Sequence, residues 1–336
     1  PPTGRLGDRV GHWRVYVSGL VFVSTGFFVY GTSSTFFGFA AAELTAALGY
    51  ALRSQALESW MRNQIGQEKF HKGRTRAHTW MRGFSLAAGY AGRVIGGYLG
   101  FQIPWFIGAG SFAVTTLIGL IILRNGSEVR PVTRKDFTLS FKELTEDILD
   151  AAQRVELRPF FLIYAATAGL FQPLNMLWSL ILVSFGVSPE GIGSFWIGVS
   201  ISITAGTELS HRVNRVSFRK ISLSIVFIGC GIAIGVISVM RDSTALPLLI
   251  VGFLIHEVGR GLLQELLESF RNEFIDEKDR SFDNSVVESF RTLGSAVGLV
   301  VFGQMIKYIT DPLLVWLISA GLILAFGVAV WFFKQR

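Results

Sequence analysis

Long runs of apolar residues alternate with short polar segments along the whole chain. Three of the runs, residues 103–123, 221–240 and 313–333, contain no ionised side chain, and each is about 20 residues long, enough to cross the hydrocarbon core of a bilayer. Extended to the rest of the chain, this pattern predicts ten membrane-spanning helices over 15–30, 34–59, 80–101, 103–123, 159–185, 192–206, 221–240, 246–267, 285–306 and 313–333. The predicted fold class is therefore an all-α membrane protein.

The connections between these spans differ in charge in a regular way. Five are tiny turns, and of the 31 Lys and Arg residues they hold only Arg241 and Lys307. Arg53, Arg93 and Arg260 lie within spans, and all the other basic residues fall on the opposite side, which the positive-inside rule makes cytoplasmic. Both ends of the chain are therefore predicted to be cytoplasmic, in a multi-pass protein of the plasma (inner) membrane.

Composition agrees with a membrane protein and excludes several other classes. Half of the residues are hydrophobic and 16% are charged, whereas soluble domains carry about 25% charged residues. The net charge of +7 is explained by basic cytoplasmic loops, so no nucleic-acid partner is predicted. The single cysteine, Cys230, excludes a disulfide within the chain and any CxxC metal site. No metal and no cofactor are expected.

The chain shows an internal repeat, which favours an architecture of two similar halves. A shift of 210 residues matches Gly49 with Gly259 and Glu58 with Glu268, and a shift of 209 matches Arg82 with Arg291. Eleven such identities over about forty residues make the second and third spans repeats of the eighth and ninth. The predicted domains are residues 1–123 with four spans, a central cytoplasmic loop over 124–158 that includes an amphipathic helix at 141–155, and residues 159–336 with six spans.

The first residues of the chain carry the most specific motif. Residues 4–14 read GRLGDRVGHWR, which resembles the loop between helices 2 and 3 of the major facilitator superfamily. The resemblance implies a twelve-helix bundle, of which this chain holds the last ten, and a cytoplasmic gate formed by Gly4, Asp8, Arg9, Gly11 and Arg14. The glycines permit a tight turn, and Asp8 can face a helix N-terminus and arginines. Glu58, Arg62, Glu268 and Arg271, at cytoplasmic helix ends, are expected to form salt bridges between the halves.

A second element resembles the glycine motif of the fifth helix in efflux members of this superfamily. It reads GRVIGG over residues 92–97, with Gly92, Gly96 and Gly97 in place and Arg93 where the family has proline. The resemblance implies drug:proton antiport, and the arginine weakens that implication. The alternative is that these small residues only allow helices to pack closely.

Ionisable residues inside the spans are candidates for function because they are costly at the middle of a bilayer. By resemblance, the family helices 4, 7 and 10 line a central cavity. The candidate cavity and coupling residues are Glu43, Arg93, Gln172, Asn175, His256, Glu257 and Arg260.

Each charged candidate has a structural alternative. Glu43 is either a proton carrier or one partner of an ion pair with Arg93 or Arg260. Arg260 either binds an anionic group of the substrate or pairs with Glu257, and the pair is favoured. His256 alone is more typical of a hydrogen-bonded core residue than of a proton relay.

These observations together predict a secondary active transporter. The expected function is proton-coupled movement of a small organic solute by alternating access of two halves, and export is the favoured direction. The alternatives are a proton-coupled uptake symporter and a receptor or scaffold that transports nothing. No enzyme is predicted, because the spans contain neither HExxH nor paired aspartates, and the chain has no ATP-binding GxxxxGK[ST] motif. The expected partners are the lipid bilayer, the solute and protons.

Overall fold

The structure, a computed structural model, describes residues 6–7, 10–125, 153, 158–213, 219–272 and 280–332. In this part of the chain all regular structure is helical. The α-helices are α1 His12–Thr32, α2 Phe36–Ile65, α3 Gln67–Leu99, α4 Ile103–Asn125, α5 Arg158–Leu170, α6 Gln172–Ser184, α7 Pro189–Val213, α8 Arg219–Ser238, α9 Leu246–Asn272, α10 Arg280–Tyr308 and α11 Pro312–Phe332. A helix is present at each of the ten predicted spans, so the all-α prediction is confirmed.

Two features of the helices differ from the prediction. The span over 159–185 is broken at Phe171 into α5 and α6, because Pro173 at the start of α6 has no N–H to continue the α5 hydrogen bonds. In addition, α2 and α3 extend well past the apolar runs, and Gly66 alone separates them. Gly66 has a φ of 76°, a backbone conformation that glycine adopts without strain. The amphipathic helix predicted over 141–155 falls almost entirely outside the described residues.

The chain divides into two compact units, Pro1–Asp147 and Ile148–Arg336. In unit 1, α1 packs mainly against α2 and α4. The close approach of α1 to α2 depends on Gly19 and Gly49, because a Cβ at either position would collide with the backbone of the other helix. Buried Leu20 and Val23 of α1 and Ala46 of α2 fill the contact.

Unit 2 contains the larger hydrophobic core. Its main contacts are α8 with α9 and α11, α7 with α9, and α5 with α10. The fully buried side chains include Phe160, Phe227, Ile234 and Trp316. Leu174, from the helix that follows the break, joins the same core.

The packing of the two units supports the repeat found in the sequence. In unit 1 the first described helix packs on the second and fourth, and in unit 2 α8 packs in the same way on α9 and α11. Gly49 and Gly259, which the 210-residue shift matches, both lie where their helix meets the preceding one. A Cβ at Gly49 would collide with Gly19 and Val23, and one at Gly259 with Cys230.

The surface of the described helices is strongly apolar, as expected in lipid. Six helical segments are long and apolar enough to cross a membrane: His12–Thr32, Ile103–Arg124, Arg158–Ser184, Leu246–Ser269, Val286–Tyr308 and Pro312–Phe332. Large side chains such as Leu117, Ile121 and Val300 are more than half exposed on them. Such continuous apolar surface is not stable in water and matches a lipid environment.

Candidate functional site

A polar cavity of about 360 Å³ lies inside unit 2, beside the break between α5 and α6 and along α9 from its middle toward its C-terminal end. Helices α5, α6, α9 and α10 contribute to its wall. Its hydrogen-bonding groups include Tyr164, Gln172, Asn175, Arg260, Thr292 and Ser295. The helix break places Gln172 and Asn175 in the first turn of α6, where their amides reach the cavity.

Side chains from different helices meet across this cavity. The Gln172 Nε2 donates a hydrogen bond to the Ser295 hydroxyl, which joins α6 to α10. The Arg260 Nη1 donates to the Asn175 Oδ1 at 3.0 Å, which joins α9 to α6. The structure therefore brings together three of the residues selected from the sequence, namely Gln172, Asn175 and Arg260.

The shortest described ion pair at the cavity joins Glu257 and Arg260 on α9. The Arg260 Nη1 lies 2.9 Å from the Glu257 Oε1. The two side chains differ greatly in burial, since Glu257 is 1% exposed and Arg260 32% exposed to the cavity. The Glu257 Oε2 has no hydrogen-bond partner among the described residues. The ion pair favoured by the sequence is present, and it leaves one buried carboxylate oxygen unused.

His256 lies behind this pair and does not reach the cavity. Its imidazole is completely buried between the rings of Phe171 and Phe253, whose centroids are 5.4 and 5.5 Å away. The Nδ1 is 3.4 Å from the Glu257 Oε1, and neither ring nitrogen makes a hydrogen bond within the described chain. The prediction of a hydrogen-bonded core histidine is therefore half right: His256 is in the core, but without the hydrogen bonds.

A second group of charges lies toward the C-terminal end of α9. The buried Arg271 Nη1 is 3.3 Å from the Glu288 Oε1 of α10, and its Nη2 is 3.9 Å from the Glu268 Oε1. Arg291 is 3.2 Å from the other oxygen of Glu288. Glu268 and Arg271, expected to bridge the halves, thus make ion pairs inside unit 2. These side chains link α9 to α10.

In unit 1 the candidates Glu43 and Arg93 have different surroundings. The exposed Glu43 accepts a hydrogen bond from the Tyr30 hydroxyl at 2.5 Å, and the Tyr30 ring stacks on Trp105 at 4.4 Å. The guanidinium carbon of Arg93 lies 6.0 Å from the centre of the ring of Tyr90, which precedes it by about one turn of α3. Glu43 therefore has the hydroxyl of a tyrosine on the neighbouring helix as its partner.

The structure describes only part of the proposed gate loop. Gly4, Asp8 and Arg9 lie outside the described residues. Gly11 precedes α1 with a φ of 96°, which agrees with the predicted tight turn. The Arg14 Nη1 donates to the Val10 carbonyl at 3.1 Å, so in this structure Arg14 stabilises the start of its own helix.

The glycine element on α3 makes few close contacts. Gly96 is buried, and a Cβ there would be in ordinary contact with Phe101 and Pro104. A Cβ at Gly92 would meet no described atom within 4 Å, and Gly97 is exposed. Within unit 1, the close helix packing considered for this element is absent at Gly92 and Gly97.

The contribution of α10 to the cavity was not predicted from the sequence. Glu288, Arg291, Thr292 and Ser295 all line it. Their spacing of three and four residues places them on one face of a helix, and this polar stripe within the predicted span over 285–306 was the available signal. Tyr164 was also missed. Its buried hydroxyl has no hydrogen-bond partner among the described residues.

Comparison with solved structures identifies the fold. No protein-family profile matches the chain, and no curated protein matches it significantly by sequence. The human organic anion transporter MFSD10 is 18% identical with a TM-score of 0.66, and the alignment covers 98% of this chain and 79% of that one. The nucleoside transporter NupG is also 18% identical, with a TM-score of 0.71 and coverages of 99% and 87%. A POT family transporter bound to a peptide is 10% identical, with a TM-score of 0.71 and coverages of 98% and 87%. The chain is therefore an all-α membrane protein with the fold of the major facilitator transporters.

Proposed function

We propose that this protein is a secondary active transporter that moves a small organic solute by alternating access and couples the movement to protons. The observation that carries the proposal is the polar cavity in unit 2, whose wall includes Arg260, paired with the buried Glu257 behind it. Ionised groups inside a membrane span are expensive, and in transporters they mark pathways for solutes and protons. Three similar structures are transporters of organic anions, nucleosides and peptides.

Glu257 is the proposed proton-binding residue. It is buried, its Oε2 makes no hydrogen bond among the described residues, and its only strong partner, Arg260, faces the cavity. Protonation of Glu257 would free Arg260, so a proton would change the charge that a solute meets. Glu43, the carboxylate chosen from the sequence, lacks these properties because it is exposed and bonded to a tyrosine.

The direction of coupling is also a proposal. Export by antiport was expected from the glycine element over 92–97, in which Arg93 stands where the resembling family has proline. We favour the alternative that the sequence left open, in which solute and proton move in the same direction. Glu257 and the solute would compete for Arg260, so the solute would bind best when Glu257 carries a proton.

We also propose the orientation predicted from the distribution of basic residues, in which both chain ends lie on the cytoplasmic side of the plasma membrane. Thr244 lies in an exposed turn between α8 and α9, and Arg212 is exposed near the end of α7. The native Cys230 is buried. In intact cells, a membrane-impermeant maleimide added outside should label Thr244→Cys and leave Arg212→Cys unlabelled until the cells are opened. The reverse pattern would invert the proposed orientation.

Transport itself is tested with a ligand found by binding. Purified protein is first screened for solutes that raise its melting temperature, using nucleosides, dipeptides and monocarboxylates as the panel. The best ligand, in radiolabelled form, is then offered to proteoliposomes with an imposed pH gradient. We expect uphill accumulation that an ionophore for protons abolishes, and loss of that accumulation in Glu257→Gln.

The other outcomes distinguish the alternatives. A ligand that equilibrates across the membrane without accumulating would contradict proton coupling. A ligand that binds and does not cross the membrane would overturn the transport proposal and favour a receptor. Glu43→Gln is the matched variant, since it removes a carboxylate of unit 1, and it should retain accumulation.

A further inference from the structure

Arg260 has hydrogen-bonding capacity that the protein does not use. Its Nη1 makes both described contacts, to the Glu257 Oε1 and to the Asn175 Oδ1. In the described part of the chain, Nη2 and Nε make no hydrogen bond, and the guanidinium carbon lies 6.0 Å from the centre of the Phe171 ring. About a third of the side chain is open to the cavity. A planar fork of this kind is suited to bind a carboxylate through two parallel hydrogen bonds.

The remaining charges of the cavity wall are already balanced by one another. Glu288 pairs with Arg271 and with Arg291, and Glu268 lies on the other side of Arg271. A solute carboxylate could therefore take the place of the partner of Arg260 without breaking any of these other ion pairs. That partner, Glu257, is buried and has one oxygen without a hydrogen-bond partner among the described residues.

We infer that the cavity takes a solute with a single carboxylate group, which binds Arg260 at the same time as Glu257 holds a proton. The inference rests on the proposed function and names its substrate class. An ionised Glu257 together with a bound carboxylate would place two negative charges against one guanidinium in a poorly solvated site, which is unfavourable. When a proton from the medium bonds to the Glu257 Oε2, the acid becomes neutral, and arginine and solute form the balanced pair.

Other solute classes fit the cavity less well. A phosphate or a dicarboxylate carries a second negative charge, and the wall offers it two glutamates, Glu268 and Glu288, and one further arginine, Arg291, which is already paired with Glu288. A neutral solute would leave the Glu257 and Arg260 pair undisturbed, so its binding would not depend on the proton. The rest of the solute would contact the Phe171 ring and Leu263 and could accept hydrogen bonds from the Asn175 Nδ2.

The ionisable groups that face Glu257 come from several helices. On α9 itself the neighbours are His256 and Arg260, and α8 contributes Cys230, whose Sγ contacts the His256 carbonyl at 3.8 Å. The described ionisable residues of α7, Glu208 and Arg212, are exposed near the end of that helix. Across the cavity, α5 presents Tyr164, and α10 presents Glu288 and Arg291, which are paired to each other.

The first experiment measures binding and proton uptake together. Purified protein in detergent is titrated with matched pairs of a monocarboxylate and its neutral amide, such as benzoate with benzamide and nicotinate with nicotinamide. We expect carboxylates to bind and amides not to bind, with about one proton taken up per carboxylate, measured with a pH indicator in weakly buffered solution. Carboxylate affinity should fall by about 5- to 150-fold from mildly acidic to mildly alkaline pH, the usual range for two coupled sites.

Variants then assign the effect to the two residues. Glu257→Gln imitates the protonated acid, so its carboxylate affinity should be independent of pH and equal to the acidic wild-type value. Arg260→Gln should lose carboxylate binding at every pH. Glu43→Gln, in unit 1, should keep the wild-type pH dependence. If Glu257→Gln does not fold, the proton uptake of the wild-type protein decides the question.

Failure of this inference differs from failure of the proposed function. Equal binding of amides and carboxylates, binding without proton uptake, or no carboxylate binding in the panel would each overturn the inference. Proton-driven accumulation of a neutral solute would overturn it and leave the transporter proposal intact. Carboxylate binding with proton uptake, but without movement into proteoliposomes, would support the inference and contradict the transport function.

Discussion

The Trp316 indole on α11 donates a hydrogen bond from Nε1 to the Pro173 carbonyl, at 3.0 Å. One turn later on α11, the Ser319 hydroxyl donates to the Leu170 carbonyl at 2.6 Å. These carbonyls lie on the two sides of the break between α5 and α6. The break is thus held in place by α11, whose side chains donate hydrogen bonds to backbone carbonyls on both sides of it. This arrangement positions the amides of Gln172 and Asn175 at the cavity.

The first prediction concerns these two hydrogen bonds. Trp316→Phe retains an aromatic ring and removes the donor to Pro173, which should lower the free energy of unfolding by about 1 kcal/mol. Ser319→Ala should cost a similar amount, and each variant should also weaken ligand binding because the start of α6 becomes less fixed. The measurements are chemical unfolding in detergent and ligand titration. Loss of stability with unchanged ligand affinity would show that the break does not position the cavity residues.

A second prediction concerns the unequal burial of Glu257 and Arg260. Arg260→Gln leaves a carboxylate that is 1% exposed without its cation, and breaking a buried pair in this way costs about 3–5 kcal/mol. Glu257→Gln leaves a guanidinium that is 32% exposed and keeps an amide oxygen near it, so it should cost clearly less. The double variant should recover much of the Arg260→Gln loss. Melting temperatures of the four proteins give the comparison, and equal losses for the two single variants would contradict it.

The apolar pattern was sufficient to predict a helix at each span, because each span must satisfy its backbone hydrogen bonds internally and exclude charge. The pair of Glu257 and Arg260 was also predictable, since residues three apart share a helix face. Two features could not be predicted from the sequence: the contacts that hold the helix break, and which carboxylate is buried. Pro173 marked a possible break, but the stabilising contacts from Trp316 and Ser319 come from about 145 residues later in the chain. Glu43 and Glu257 both look like buried carboxylates in sequence, and only the tertiary packing makes one exposed and the other buried.

A third prediction tests close helix contact in unit 2 with a matched pair of glycines. A Cβ at Gly294 of α10 would overlap the backbone of Ala165 on α5, whereas one at Gly321 of α11 would meet no described atom within 4 Å. Gly294→Ala should therefore force α5 and α10 apart and lower the melting temperature strongly. Gly321→Ala should be neutral or stabilise the protein by up to about 1 kcal/mol, because alanine favours a helix more than glycine does. Similar effects at both positions would mean that α5 and α10 do not pack as closely as described.

The last prediction concerns Arg241 and Asp311, which join the turn after α8 to the turn before α11. The guanidinium makes two contacts with the carboxylate, at 2.8 and 3.1 Å, and both side chains are about half exposed. An exposed pair of this kind contributes up to about 1 kcal/mol and is screened by salt. Asp311 has a further role, because its Oδ1 accepts a hydrogen bond from the Leu313 backbone N–H at the start of α11, at 2.9 Å. Arg241→Ala should therefore lower stability only slightly, and the difference from wild type should disappear at high salt. Asp311→Ala should lose more, with about 1 kcal/mol that salt does not remove, because the cap of the helix is lost as well. Unfolding of both variants at low and high salt separates the two roles, and an Asp311→Ala loss that vanishes in high salt would show that the capping contact contributes nothing.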